Sequence, residues 1–546
     1  MGFLSRIFMV LFCASAATGV WTAYDRSSAT SKFFLLVTGL GASYAGFFLG
    51  KASAKSVATI IGLASSLGSA LLAGVFALGN SIPSGPAANT LIILLPLSFG
   101  YSFWLAGEFQ RSMTFPFACS VLGLLGLILT RERSGWLALS IGLGGAALIH
   151  WAGTYSSLKY LRLMAVVILS ALLIAVALPF SHTLFAEILR ATPLQARLPL
   201  WRDCLALIQD SMFTGIGLGS TAMGLSTYVY LLHVPFQAQA HNLYIELMLE
   251  QGPLGVISFV GLNLSCASLL LHLARRGSSN HWVVIGTVAS LVAMLTYGLF
   301  DSEAYVSSFA PILFFPMGSV WLMLRSQRLT PEIVSPTKIW PWAISFILLT
   351  TICVGVIVRW PAARAQLAAN CGSILQTQAE LSVYHWPQWG LQDQVRDGRA
   401  TDLSKAIARY QTSLDIDPTN ATANRRLGQI ELSRGDFVSA RHHLKAAFDS
   451  SPNQRATRQL LGEIYALEGH FVQAGQLWRE IDVSHSQLEV RLWWYQHHGS
   501  PQQVQRMTQA ISLFKVRPNS PEESQAWEMK SGSRVPSPTE YLCNRA

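Results

Sequence analysis

Charge is what this sequence has least of. Only 12% of its 546 residues are Asp, Glu, Lys or Arg, about half the usual share for a soluble globular protein, while 51% are apolar. That balance excludes a disordered chain, a collagen-like chain and an ordinary cytosolic enzyme. Cysteine is also sparse. The seven cysteines include no CxxC pair and no Cys/His cluster, which argues against a structural zinc site. His-Glu-x-x-His is absent, so nothing resembles a zinc protease helix. What is present in quantity is apolar sequence in long runs, with some soluble mass attached.

The few charges are unevenly placed. Residues 1–359 hold 19 Lys+Arg and 11 Asp+Glu, and residues 360–546 hold 20 and 18. The C-terminal third therefore carries more than half of all the charge. The expected fold is all-α. A polytopic helical membrane domain occupies residues 1–359, and an α-helical repeat domain occupies 360–546, with the boundary near Trp360–Pro361.

A membrane span needs about 20 mostly apolar residues. About eleven runs qualify: 4–23, 32–50, 57–79, 88–106, 113–130, 136–152, 163–180, 253–273, 282–300, 304–324 and 339–358. Orientation follows from Lys and Arg in the short loops. With the N-terminus in the cytoplasm, the cytoplasmic loops hold eleven basic residues against two acids, Glu108 and Glu332. The opposite side of the membrane domain then has eight basic and nine acidic residues. This puts the segment 181–252 and the whole C-terminal domain outside the cytoplasm of a multi-pass inner-membrane protein. Residues 1–23 have a second reading, as a secretory signal peptide with Arg6, an apolar run and Ala-rich residues 14–17. Either reading leaves the remaining topology unchanged.

The C-terminal domain repeats with a step of 34. Pro418 and Pro452, Leu427 and Leu461, Gly428 and Gly462, Gly435 and Gly469, and Phe437 and Phe471 are so related, as are Ala406, Ala440 and Ala474. The period and residue types resemble the tetratricopeptide repeat. Gly435 and Gly469 fall where two helices turn and a positive φ is easiest for glycine. Such hairpins stack into a short solenoid. The stack serves either as a docking surface for a protein partner or an extended ligand, or as a rigid cap over the membrane domain.

Three segments on the non-cytoplasmic side carry candidate chemistry. In "TRERSGWLAL", Arg131 and Arg133 stand at the end of a span. Paired guanidiniums there suit a phosphate, although interfacial snorkelling also explains them. In "RLPLWRDCLALIQDSMFTGIGLGS", Arg197 and Trp201 open an amphipathic stretch with Trp201, Leu205 and Ile208 on one helical face. The run Gly215, Gly217, Gly219 that follows has no Lys-Ser/Thr and no preceding strand, so it reads as a flexible turn and not a nucleotide loop. In "HNLYIELMLEQGPLG", His241 begins an apolar helix with Glu246 and Glu250 on its i, i+4 face. A lone histidine is commonly structural. Arginines, two carboxylates and a membrane edge around this one favour function.

These segments together resemble the O-antigen ligase and polymerase superfamily over residues 30–325. His241–Asn242, nine residues, then Gly252–Pro253–Leu254–Gly255–Val256 is similar to that family's histidine signature. "RERSGWLAL" resembles its arginine segment with Arg133 at the arginine position, "RLPLWRDCLALI" its Arg-x3-Trp segment, and "AANTLIILLPL" around Asn89 its Asn-rich start of a span. The resemblance implies a GT-C-like, metal-independent glycosyltransferase without cofactor. Such an enzyme moves a glycan from a polyprenyl-diphosphate carrier to a glycan, lipid or protein acceptor on the outer face of the inner membrane. It implies His241 as the base for the acceptor hydroxyl and Arg133, Arg197 and Arg131 as ligands of the diphosphate. Glu246, Glu250 and Asn242 take supporting places.

Within the family a polysaccharide polymerase, an O-antigen ligase and a protein O-oligosaccharyltransferase stay open. The repeat domain leans toward a polymerase or a protein-glycosylating enzyme. Outside it, a non-enzymatic scaffold of a polysaccharide assembly system is the alternative. No nucleic-acid partner and no metal are expected. Cys371 and Cys543 bracket the repeats in an oxidising compartment and are candidates to pair.

Overall fold

The computed structural model describes residues 3–45, 53–79, 82–109, 113–154, 193–232, 234–275, 280–326, 355, 359–383, 392–397 and 401–514. The expected span 163–180, the expected span 339–358 apart from residue 355, His233 and Cys543 lie outside them. The described residues contain no strand. They form two compact units, Met1–Arg426 and Leu427–Ala546, with the division inside one helix.

The first unit begins with α1 (Phe3–Thr22), α2 (Arg26–Ala45), α3 (Ala54–Ala77), α4 (Ser84–Phe109), α5 (Thr114–Thr130) and α6 (Arg133–Thr154). It continues with α7 (Pro193–Asp210), a short α8 (Thr221–Leu225) running into a π-turn (Ser226–Tyr230), α9 (Leu243–Arg275), α10 (His281–Tyr297), α11 (Glu303–Val306) and α12 (Phe315–Ser326). Among the described residues, four helices are long and apolar enough to cross a membrane: Leu4–Thr22, Ala54–Ala77, Ser84–Gly107 and Leu243–Ala274. Thr114–Thr130, His281–Tyr297 and Ala310–Ser326 are shorter apolar helices. The protein is thus a helical membrane protein. Helix packing relies on small residues and hydroxyls, as expected where lipid removes the usual drive for apolar contact. A Cβ on Gly142 of α6 would lie 2.4 Å from the Ala289 carbonyl of α10. Ser98 of α4 bridges Ser66 of α3 (2.8 Å) and Ser120 of α5 (2.7 Å).

Two prolines stand inside long helices and each removes a backbone donor. Pro96 sits inside α4, and Ser290 Oγ of α10 donates to the nearby Ile93 carbonyl (2.7 Å). Pro253 follows Gly252 in α9, where Gly252 has φ 69° and ψ −170°. The break exposes the Leu249 carbonyl, which accepts from Ile216 N (2.7 Å). The glycine run is therefore a packed turn and not a loose connector. Gly215, Gly217 and Gly219 all have positive φ. A Cβ on Gly217 would stand 2.3 Å from Ala23 N and Cα.

Helices beyond residue 360 complete this unit: α13 (Pro361–Leu381), α14 (Gln392–Asp397), α15 (Ser404–Ile416) and the start of α16 (Ala421–Ser433). They are joined to the segment 193–232 by buried charge. Asp210, at the end of α7, is fully buried and accepts from Arg425 Nη2 and from Arg426 Nε (3.0 Å) and Nη2 (2.7 Å). Arg426 also covers the Tyr228 ring at 3.5 Å. The Tyr228 hydroxyl donates to Glu380 (3.0 Å), which Arg396 grips in a fork at 2.9 and 3.1 Å.

The second unit holds the rest of α16, then α17 (Phe437–Ser450), α18 (Arg455–Glu468), α19 (Phe471–Arg479), α20 (His485–His498) and α21 (Pro501–Leu513). Gly435 and Gly469 have φ 78° and 91° in the turns between paired helices. Ala440 and Ala474 are fully buried between them. Glu463 is held by Arg491 (2.7 and 2.9 Å) and by the Tyr495 hydroxyl (2.5 Å).

Candidate functional site

His241 is placed by its neighbours' backbone bonds. Its φ is 49°, in the left-handed region that histidine visits more readily than most residues but rarely. On one side, the Ala240 amide donates to Glu246 Oε2 (2.7 Å) and the Ala240 carbonyl accepts from Trp201 Nε1 (3.0 Å). On the other, Asn242 Oδ1 caps α9 by accepting from Tyr244 N (3.0 Å) and Ile245 N (3.1 Å). Asn242 Nδ2 and Leu243 N reach the carbonyls of Leu299 (3.1 Å) and Gly298 (2.7 Å).

The turn after α10 is where the separate segments meet. His241 Nδ1 faces Asp301 Oδ2 at 3.8 Å, longer than a hydrogen bond, and has no hydrogen-bond partner. Arg197 Nη1 donates to the carbonyl of Phe300, the preceding residue. Ser302 Oγ donates to Gln239 Oε1 (3.0 Å). Glu303 lies against the first turn of α4, close enough to Gly85 that a Cβ there would be 2.1 Å from its Oε2. Glu132, between the two candidate arginines, accepts from Ser84 Oγ (2.8 Å) at the same helix start.

This corner is an electrostatic cluster. Burial, then Asp301 and Glu132, push the Glu303 carboxyl above its ordinary range, opposed by His241 and the Gly85 amide. Arg131 and Arg133 flank Glu132 and are exposed. Arg131 closes α5 in a left-handed conformation, φ 57°. The arrangement sets an imidazole 3.8 Å from a buried carboxylate, with the Arg197 guanidinium on the adjoining carbonyl, a set suited to proton abstraction beside an anionic group.

Two of the sequence candidates serve the scaffold. Glu250 is buried on Lys32 Nζ (2.6 Å) and accepts from Gly219 N (2.8 Å), so it anchors the glycine turn. Glu246 holds Ala240 in place and does not touch the His241 ring in any hydrogen bond. Lys32 also sits 4.1 Å over the Tyr305 ring. Of the amphipathic face, Ile208 points inward while Leu205 is exposed. Asp301, Glu303 and Glu132 were missed by sequence reasoning. Their signal was slight: two acids in the short "FDSEAY" link between apolar runs, and an acid between two arginines.

A family model described as "O-Antigen ligase" matches residues 118–260, about a quarter of the chain. The matched segment contains Arg131, Arg133, Arg197 and His241, and it ends before Asp301. The match supports the O-antigen ligase superfamily, and with it a membrane protein that transfers glycans as a ligase or polymerase. No curated protein and no solved structure matches the chain.

Proposed function

We propose that this protein is a GT-C type, metal-independent glycosyltransferase that moves a glycan from a polyprenyl-diphosphate carrier to an acceptor on the outer face of the inner membrane. Its eleven spans carry the tetratricopeptide-like domain of residues 360–546 on the same outer side. His241 takes the proton of the acceptor hydroxyl. The oxygen attacks the anomeric carbon, the sugar–phosphate bond breaks, and the carrier leaves as a diphosphate with one more negative charge. Arg133, Arg131 and Arg197 stabilise that charge with forked hydrogen bonds. Asp301 orients the imidazole and stabilises its protonated form. The observation that carries this reading is the single turn, residues 298–303, that takes His241 through Asp301 and Arg197 through Phe300.

The test is transfer by purified protein in nanodiscs, in EDTA, from polyprenyl-diphosphate oligosaccharide to lipid A core, carrier-linked repeat unit or serine-bearing protein. Products are read by gel and mass spectrometry beside an Arg133→Ala/His241→Ala variant. Transfer that survives EDTA and disappears in the variant is expected, and a ladder of long glycans identifies a polymerase. Folded protein that transfers to none of these acceptors, or a fully active variant, overturns the assignment.

A further inference from the structure

Helix α13 runs along the end of the bundle and does not lead away from it. Gln366 Nε2 donates to the Gln209 carbonyl at the end of α7. One turn later Asn370 accepts from Phe213 N and donates to Thr214 Oγ1, both at 2.9 Å. Two turns beyond that, Gln378 Nε2 donates to the Trp21 carbonyl (2.7 Å), in the last turn of α1. Twelve residues of helix, about 18 Å at 1.5 Å per residue, are thus laid across the ends of α7 and α1. Since α1 is long and apolar enough to cross a membrane, its last turn marks the level of the lipid interface. Trp21 is itself 58% exposed there, as tryptophans of an interfacial belt are.

The helical repeat then says which way the uncovered face of α13 points. Leu367 is eleven residues from Gln378, about three turns and within about 20° of its azimuth. Gln378 is aimed at the end of α1, so Leu367 is aimed at the same level, off the edge of the protein. Trp360 is the N-cap of α13, with extended backbone (φ −91°, ψ 113°), two turns before Leu367. Trp360 is 61% exposed and Leu367 40%. Arg359 and Arg364 flank them and are exposed. From 359 to 379 the sequence holds these two arginines and no Asp or Glu. An exposed indole and leucine, arginines beside them and the helix's one acid, Glu380, buried away on Arg396 are the composition of a helix lying in a headgroup layer.

We propose that α13 is an interfacial helix, with Trp360 and Leu367 inserted at the headgroup–acyl boundary and Arg359 and Arg364 on lipid phosphates. The start of the C-terminal part is then seated on the bilayer as well as on the protein. This inference rests on the chain crossing a membrane and not on glycan transfer, so it stands or fails separately from the proposed reaction. The full chain, with its seven cysteines replaced and Leu367→Cys carrying a nitroxide, is placed in nanodiscs of phosphatidylethanolamine and phosphatidylglycerol. Collisions with oxygen and with a water-soluble nickel chelate are compared. A several-fold preference for oxygen is expected. Access to the chelate equal to that of an aqueous label overturns the proposal, and suppression of both collisions overturns it in favour of a protein cover such as a second copy. Quenching by brominated lipids gives an independent reading with the native cysteines kept. Trp360→Phe should lower the lipid-quenched tryptophan emission, and unchanged quenching refutes the insertion.

Discussion

Removing the Asp210 carboxylate is the sharpest perturbation the structure offers. Its side chain is fully buried, and so is Arg426, with Arg425 nearly so. Burial alone would raise the carboxyl, but the Arg425 and Arg426 guanidiniums overcome it and hold Asp210 below its ordinary range. Asp210→Ala therefore strands two buried cations. Breaking one buried pair typically costs about 3–5 kcal/mol, a large share of the roughly 5–15 kcal/mol that stabilises a domain. At about 1.4 kcal/mol per decade, local opening of α7 against α13 and α16 should rise by roughly two to four orders of magnitude. Hydrogen exchange of residues 201–232 and 365–381 in nanodiscs measures this directly. Asp210→Leu with Arg425→Met and Arg426→Met should recover much of the protection, because it removes the stranded charges. The pH dependence has a definite sign. A depressed carboxyl contributes stability above its unfolded value and loses it as pH falls through the folded one. Protection should be flat from pH 5 to 8 and fall only below about 4. Wild-type exchange in Asp210→Ala would show that the charges do not clamp these elements.

Other outcomes follow from the same geometry. His241→Ala should lower transfer by about 10²–10⁴-fold, the usual range for a lost general base, and Asp301→Asn by less, with carrier binding retained in both. Equal activity of either variant and wild type in a rate assay contradicts the dyad. Arg197→Lys should not restore activity lost in Arg197→Ala, since an ammonium cannot hold the Phe300 carbonyl and a phosphate in one planar fork. Full rescue by lysine would reduce Arg197 to a point charge. Gly217→Ala forces a Cβ against Ala23 at φ 106° and should cost about 1–3 kcal/mol, read as a lower thermal midpoint in detergent. An unchanged midpoint would mean that the turn moves freely.

Much of this architecture is a one-dimensional property. A run of apolar residues long enough to cross a bilayer must satisfy its backbone within a helix, so α1, α3, α4, α5 and α10 lie on the expected runs, within a few residues. Likewise Gly435 and Gly469 announce their turns through spacing alone, because their φ values of 78° and 91° are local. His241, Arg133 and Arg197 were legible as residue types at membrane edges. Their partners were not. Asp301 is sixty residues from His241, and in sequence it is simply one acid in a short link. Lys32 and Glu250 are separated by 218 residues, yet form one buried pair. Asp210 and Arg425 are separated by 215. In each case a charge that looks solvated in the sequence is buried, and burial of a charge is tolerable only where the fold delivers an opposite one. Composition and periodicity therefore settled a helical membrane protein and the positions of these helices, whereas the helix expected at 253–273 begins at Leu243 and the run 304–324 is broken into Glu303–Val306, Ala310–Phe314 and Phe315–Ser326. Which carboxylate faces the histidine, which one pins the glycine turn, and where α13 lies were decided by long-range packing, which no local pattern encodes.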